Sequence, residues 1–270
     1  VEITRHVVHI VHAVSPQTVL VLGGPEIQGD ATEQDMFAGA NYFVQGEGED
    51  VFRDLVECLD SGKEPGEWIL PAMPTGLDEL ASPYDLYSTE DIENRIVYVE
   101  SSRGCPYRCS FCLSATDSKV RYFPLDGFLD SMEMLLAKGV QLFKFTDRTF
   151  NIRHERMVRI LDFFLERLKP GLQLHFELMP DHLDEVVWKQ IARFPAGVLH
   201  LEVGVQSFSA EVQRRIGRHQ DIGKSMDTIR RLRNETGALL HADLIVGLPG
   251  DRVEDLAAGF DALVEAKVQE

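Results

Sequence analysis

From residue 96 to its last residue the chain alternates short apolar runs with longer amphipathic ones, an order that leaves few architectures open. Strand patterns fall at 96–101, 140–146, 172–178, 198–205 and 239–246. Helix periodicity predicts helices over 125–138, 153–168, 181–194, 209–218 with 221–236, and 251–267. Strands separated by crossover helices build a parallel sheet. The expected fold class is therefore α/β, and five βα units in a row suit a partial TIM-like barrel. Such barrels assemble their sites at the carboxyl ends of the strands.

The first of those strand ends carries the most informative motif. Directly after Ile96-Val-Tyr-Val-Glu-Ser and the turn residues Arg103-Gly104 comes Cys105-Pro-Tyr-Arg-Cys109-Ser-Phe-Cys112, which holds three of the four cysteines at a C-x3-C-x2-C spacing. Three thiolates on a short loop select a soft centre, zinc or an iron–sulfur cluster. Structural zinc takes four closed ligands, and neither a fourth Cys nor a suitably spaced His lies nearby. A disulfide plus a spare thiol, a zinc knuckle and a non-catalytic metal-binding module remain the alternatives. The fourth cysteine, Cys58, lies in a helix pattern and reads as a small hydrophobe packed in a core.

This stretch closely resembles the signature of the radical S-adenosylmethionine (SAM) superfamily. The resemblance implies a 4Fe-4S cluster on Cys105, Cys109 and Cys112 with one iron open to SAM, and reductive cleavage of SAM to a 5′-deoxyadenosyl radical. It places Phe111 beside the adenine. The superfamily's core is a (β/α)6-type barrel, so a last unit is expected to be missing here, and the helix near Lys267 is expected to run to the end of the chain.

Later strand ends extend the likeness. Where the family often has Gly-Gly-Glu, strand two ends Lys144-Phe-Thr-Asp147, and Asp147 is the substitute expected to meet the amino group of SAM, or else to cap the next helix. Strand three alternates His175 and Glu177 with Leu174, Phe176 and Leu178, so the two polar side chains share a face. Strand four ends Glu202-Val-Gly-Val-Gln206-Ser207, similar to the family segment that meets the ribose and carboxylate of SAM. Of Arg214, Arg215 and Arg218, one is a candidate carboxylate-binding arginine, and a solvated helix face suits the others. Strand five runs from His241 through Asp243 to Gly247-Leu-Pro-Gly, which resembles the turn beside the adenine.

Residues 1–95 read differently. A helix pattern over 3–14 is followed by Thr18-Val-Leu-Val-Leu22, which suits a fully buried parallel strand. Gly23-Gly24-Pro-Glu26 comes next, then a strand pattern at Tyr42-Phe-Val-Gln and Gly46-Glu-Gly48-Glu. Glycine turns after parallel strands are where open α/β sheets bind ligands. This series resembles the carboxyl-terminal part of the Rossmann-like cobalamin-binding domain found ahead of many radical SAM cores. It implies that Gly23, Gly24, Glu26, Gly46 and Gly48 lie near the nucleotide tail of a corrinoid. That family's Asp-x-His-x-x-Gly cobalt segment is absent, and His6, His9 and His12 read as ordinary helix residues. Proline and glycine density from 63 to 95 marks a linker, with Tyr84 and Tyr87 expected to pack on the barrel. The domains expected are 1–62, cobalamin-binding in type, a linker over 63–95, and a radical SAM core over 96–270.

Charge narrows the partners. Lys and Arg number 27 against 44 Asp and Glu, a net −17, which disfavours nucleic acid and anionic membranes. No apolar run reaches the length of a membrane span, and reduced thiols suit the cytoplasm. The expected partners are a small-molecule substrate and an electron donor such as flavodoxin or ferredoxin. The expected outcome is hydrogen abstraction, extended by cobalamin to methyl transfer. Oxidative cyclase-type chemistry is the alternative, and methylthio transfer to tRNA fits the acidity and the missing cysteines for a second cluster less well.

Overall fold

A computed structural model describes residues 2–25, 27 and 39–270, which divide into two units at 81/82. The first unit carries a three-stranded parallel sheet. Helix α1 (Glu2–Val14) precedes β1 (Val21–Leu22), β2 (Tyr42–Gln45), α2 (Glu49–Asp60) and β3 (Ile69–Pro71), in the sheet order β1-β2-β3. The strand expected over 18–22 shrinks to its last two residues, which are half-buried rather than fully so. Leu20 begins a different network, because its N–H goes to the Asn41 side chain. Cys58 is also half-buried rather than a core residue; Leu55 is the residue that α2 buries. Within the stretch that reads as a linker, Ile69–Pro71 pairs with β2 from Phe43 to Gln45. Proline is tolerated at the end of such an edge strand because it need not donate there.

The second unit opens with a 3-10 turn at Tyr84–Leu86 and helix α3 (Thr89–Asn94), whose start is fixed by a reciprocal Ser88/Asp91 capping box. Strands β4 (Val97–Val99), β7 (Leu142–Phe145), β8 (Gln173–Leu178), β9 (Leu199–Gln206) and β10 (Leu239–Leu244) then form one sheet, every pair parallel, in the order β10-β9-β8-β7-β4. Helices α4 (Leu125–Ala137), α5 (His154–Leu165), α6 (Glu185–Ile191), α7 (Ala210–Arg215), α8 (Ile222–Glu235) and α9 (Val253–Glu265) supply the crossovers and the closing helix. A short antiparallel pair, β5 (Ser102–Arg103) with β6 (Arg121–Tyr122), encloses the cysteine loop.

Burial alternates along the sheet and assigns its two faces. Leu174, Phe176 and Leu178 are buried while His175 and Glu177 are half-exposed, and β9 repeats the pattern from Leu199 to Val205. The apolar face packs under the helices around Phe143, Phe145, Phe164 and Phe176, all fully buried. The Phe145 and Phe176 ring centroids lie 4.4 Å apart, and each such side chain contributes about 2–3 kcal/mol by leaving water. Tyr84 joins this core and ties its hydroxyl to the backbone of Glu100, while Tyr87 packs against it. The opposite face is polar, and that face lines the lumen. No helix of the described residues is long and apolar enough to cross a membrane.

One expectation at the far end is corrected. The last helix stops at Glu265, Lys267 takes a left-handed conformation, and Gln269–Glu270 lies beside β10. The amide of Glu270 donates to Leu240 and its carbonyl accepts from Ala242.

Candidate active site

The cysteine loop is held from both of its ends. Beneath it, Asp147 is 1% exposed and accepts hydrogen bonds from the Ser101 amide (2.9 Å), the Ser101 hydroxyl (2.7 Å) and the Ser102 hydroxyl (2.5 Å). The end of β4 is thereby fastened to the end of β7. Burial pushes the Asp147 carboxyl up, and those three donors oppose it. Above, Gly104 has φ +86°, and a Cβ on it would sit 2.4 Å from the Lys119 carbonyl oxygen, so only glycine fits. The Cys105 amide donates to the Asp117 carbonyl (2.9 Å), Ser110 donates to Ile216 (2.9 Å) and Cys112 donates to Cys109 (3.0 Å).

These constraints turn the three thiols toward one pocket, also lined by Phe111. Cys109 is buried at 5% exposure, Cys105 and Cys112 are half-buried, and all are free thiols. Among the described residues the three sulfurs do not lie within 4.8 Å of one another. A single zinc with bonds of about 2.3 Å would need them about 3.8 Å apart; a cluster with one thiolate per iron spreads them further. Three thiols with neither a fourth Cys nor a His in the pocket lining fit an iron–sulfur cluster better than a closed structural zinc site.

Arg218 is the buried cation beside Cys109. It is 8% exposed, with Nη1 3.8 Å from the Cys109 sulfur, Nη2 donating to the Gly204 carbonyl and Nε donating to Gln220 (3.0 Å). Burial pushes the Cys109 thiol up, and the Arg218 guanidinium beside it opposes that rise only in part. Arg214 and Arg215 instead pair with Glu211 on an exposed helix face. The separation is legible in principle: Gly217 ends the helix, so Arg218 leaves the face its neighbours share.

The lumen supplies the pocket's other wall through Glu177, Glu202, Gly204, Gln206 and Asp243. His175 Nε2 lies 2.8 Å from Glu202 and Lys144 Nζ lies 3.8 Å from it, and that hydrogen bond chiefly holds Glu202 below the usual carboxylate range. Burial, then the neighbouring Glu202, pushes Glu177 up to about 6. Gln206 has φ +70°, a backbone state that costs a non-glycine residue about 1–3 kcal/mol and collects at functional sites. Its amide occupies the space a side chain at Gly204 would need.

Of the residues singled out by sequence, the structure brings the three cysteines, Phe111, Glu202 and Gln206 to one pocket, and with them Glu177, Arg218 and Asp243. Asp147 is not there. Its oxygens are taken by Ser101 and Ser102, and it caps no helix; its neighbours Arg148 and Thr149 line the wall instead. Ser207 is buried beside the pocket and accepts from the Ser209 amide, and Gly247 also lies outside the lining. In the first unit Gly23 and Gly24 follow β1, and Gly46 and Gly48 follow β2, at the carboxyl edge of its sheet. Glu26 lies outside the described residues.

The family model of the radical SAM superfamily matches residues 99–262. The chain is 25% identical over 185 residues to the ribosomal protein uS12 methylthiotransferase of Petrotoga mobilis, covering 66% of this chain and 42% of that protein. To an uncharacterized methyltransferase of Pyrococcus horikoshii it is 24% identical over 280 residues, covering 93% of this chain and 59% of that one. The chain thus spans about half the length of these curated relatives. Its fold superposes with a TM-score of 0.75, at 18% identity, on the radical SAM methyltransferase TsrM of Kitasatospora setae, solved with cobalamin and a [4Fe-4S] cluster, over 98% of this chain and 56% of that one.

Proposed function

This chain belongs to the radical SAM superfamily, and we propose on that basis that Cys105, Cys109 and Cys112 hold a 4Fe-4S cluster beside a pocket that takes S-adenosylmethionine. The observation that carries the reading is the convergence of three thiols with Phe111, Glu202 and Gln206 on one pocket at the carboxyl end of a parallel sheet. A cluster held there by Cys105, Cys109 and Cys112 would supply one electron to the sulfonium of SAM, the chemistry that gives methionine and a 5′-deoxyadenosyl radical able to take hydrogen from an unactivated carbon.

The chain's own residues bind, orient and neutralise. Arg218 offsets the charge of a Cys109 thiolate in a buried site where an unpaired charge would be costly. Phe111, 39% exposed on the pocket wall, offers a ring face for an adenine. Glu202, kept ionised by His175, suits ribose hydroxyls, and the Gln206 amide suits a carboxylate. The substrate is a small molecule that enters by the lumen, and a flavodoxin or ferredoxin in a reducing cytoplasm delivers the electron. We propose further that the first unit belongs to a corrinoid-binding domain, with Gly23, Gly24, Gly46 and Gly48 near the nucleotide tail, and that the outcome is methyl transfer. Parallel strands that end in glycine turns support that part of the reading.

The test is anaerobic reconstitution with iron and sulfide, then dithionite and SAM. The protein is expected to bind about four irons, as the proposed cluster requires, and to release 5′-deoxyadenosine, and Cys109→Ala is expected to do neither. Full iron loading with no 5′-deoxyadenosine in any sample would leave a metal-binding module and sink the enzymatic reading.

A further inference from the structure

Outside the cysteine pocket, two half-buried histidines on neighbouring strands meet the exposed side chain of Glu270. Among the described residues His200, His241 and Glu270 form a group whose ligand atoms all lie within 4.8 Å of one another. Each is placed by a different strand or strand-like segment. His200 is on β9, His241 is on β10, and Glu270 is fixed beside β10 by its backbone bonds to Leu240 and Ala242.

The spacing of these groups admits their coordination of one ion. Glu270 Oε2 stands 3.5 Å from His241 Nδ1 and 3.7 Å from His200 Nε2. Those separations are long for hydrogen bonds. They approach the roughly 3.4 Å between two ligands of one tetrahedral ion with bonds of about 2.1 Å. The other nitrogen of His241, Nε2, faces the Asp243 carboxylate at 3.1 Å. A carboxylate there holds the ring proton on Nε2 and leaves the Nδ1 lone pair aimed at Glu270, the outer-shell arrangement that metal-binding histidines share. His200 adds an independent observation: its Nε2 is shut off from water and has no hydrogen-bond partner, which a buried polar atom rarely tolerates without a ligand. Stacking on His175, with ring centroids 4.2 Å apart, holds that ring in place.

We propose that His200, His241 and Glu270 bind a first-row divalent cation of borderline softness, of the zinc class, with water in the remaining position. Two imidazoles and one carboxylate suit such an ion better than calcium or magnesium, which prefer all-oxygen shells. The site is separate from the three cysteines. Asp243 connects the two, because it orients His241 and also lines the cysteine pocket.

Co2+ is the probe, since zinc is spectroscopically silent. The full chain carrying Cys105→Ala, Cys109→Ala and Cys112→Ala removes thiolate competition. It is expected to bind one equivalent of Co2+ with a visible d–d band that added Zn2+ abolishes. Adding His241→Ala or His200→Ala should weaken binding at least 100-fold, and Asp243→Asn by 10- to 100-fold. His9→Ala, on the exposed helix α1, should leave it unchanged. Circular dichroism of every variant separates lost ligands from lost folding, and Asp243→Asn reports if a His variant does not fold. No band in the triple-cysteine variant, or a band that survives both His200→Ala and His241→Ala, overturns the proposal and leaves an ion-paired histidine cluster.

Discussion

Asp147→Ala distinguishes a fastening role for this carboxylate from a ligand-binding one. The substitution removes the single acceptor that serves three donors in a site 1% exposed. Both serine hydroxyls can rotate toward other acceptors, but the Ser101 amide cannot, and leaving it unpaired costs about 1–3 kcal/mol. The missing carboxyl group leaves a small void that adds about 1 kcal/mol. The sum, about 3 kcal/mol, sits at the lower end of what breaking a buried charged network costs. For a unit of this size it corresponds to a fall in Tm of about 6–12 °C. Asp147→Asn keeps the volume and one acceptor oxygen, and should cost about half as much. The assay is urea unfolding of the cluster-free protein by circular dichroism, run beside equilibrium dialysis of SAM on reconstituted protein. An Asp147→Ala variant that unfolds at the wild-type urea midpoint yet no longer binds SAM would refute the argument.

Other expectations rest on single contacts. Arg218→Met keeps the side chain's length and removes its charge, so reconstituted protein should hold iron less tightly, read as faster loss to a chelator; unchanged loss would exclude Arg218 from the site. Gly104→Ala forces a Cβ against the Lys119 carbonyl at positive φ, and should destabilise by about 1–3 kcal/mol while lowering iron incorporation. Glu177 has a folded-state pKa of about 6 against an ordinary 4.5, so its stabilising contribution is complete below 4.5 and is lost as pH rises to 6. Glu177→Gln should therefore remove a decline in urea midpoint between pH 4.5 and 6; a wild-type profile flat across that window would contradict the burial argument.

Much of the barrel was legible because its periodicities are strong. The five strand patterns of the second unit match β4 and β7–β10 within a few residues, and the alternation at His175 and Glu177 correctly implied a shared polar face. What escaped depended on contacts between distant segments. Ile69–Pro71 is too short and too proline-rich to show strand periodicity, yet β2 recruits it. Asp147 sits where a strand end meets the site, but its direction is set by two serines 45 and 46 residues earlier, which no local pattern reveals. Arg218 shares its composition with two solvent-facing neighbours, and only the turn at Gly217 sends it inward. His200, His241 and Glu270 are separated too widely in the chain for any ligand spacing to betray them.

The backbone bonds around the cysteine loop have a consequence for how the protein outlives damage. Cys105 to Asp117, Ser110 to Ile216 and Cys112 to Cys109 are amide–carbonyl links that do not involve iron. If the loop carries the proposed cluster, protein stripped of iron by a chelator is therefore expected to take it up again without a denaturation and refolding step, the peptide mould serving as a standing cast.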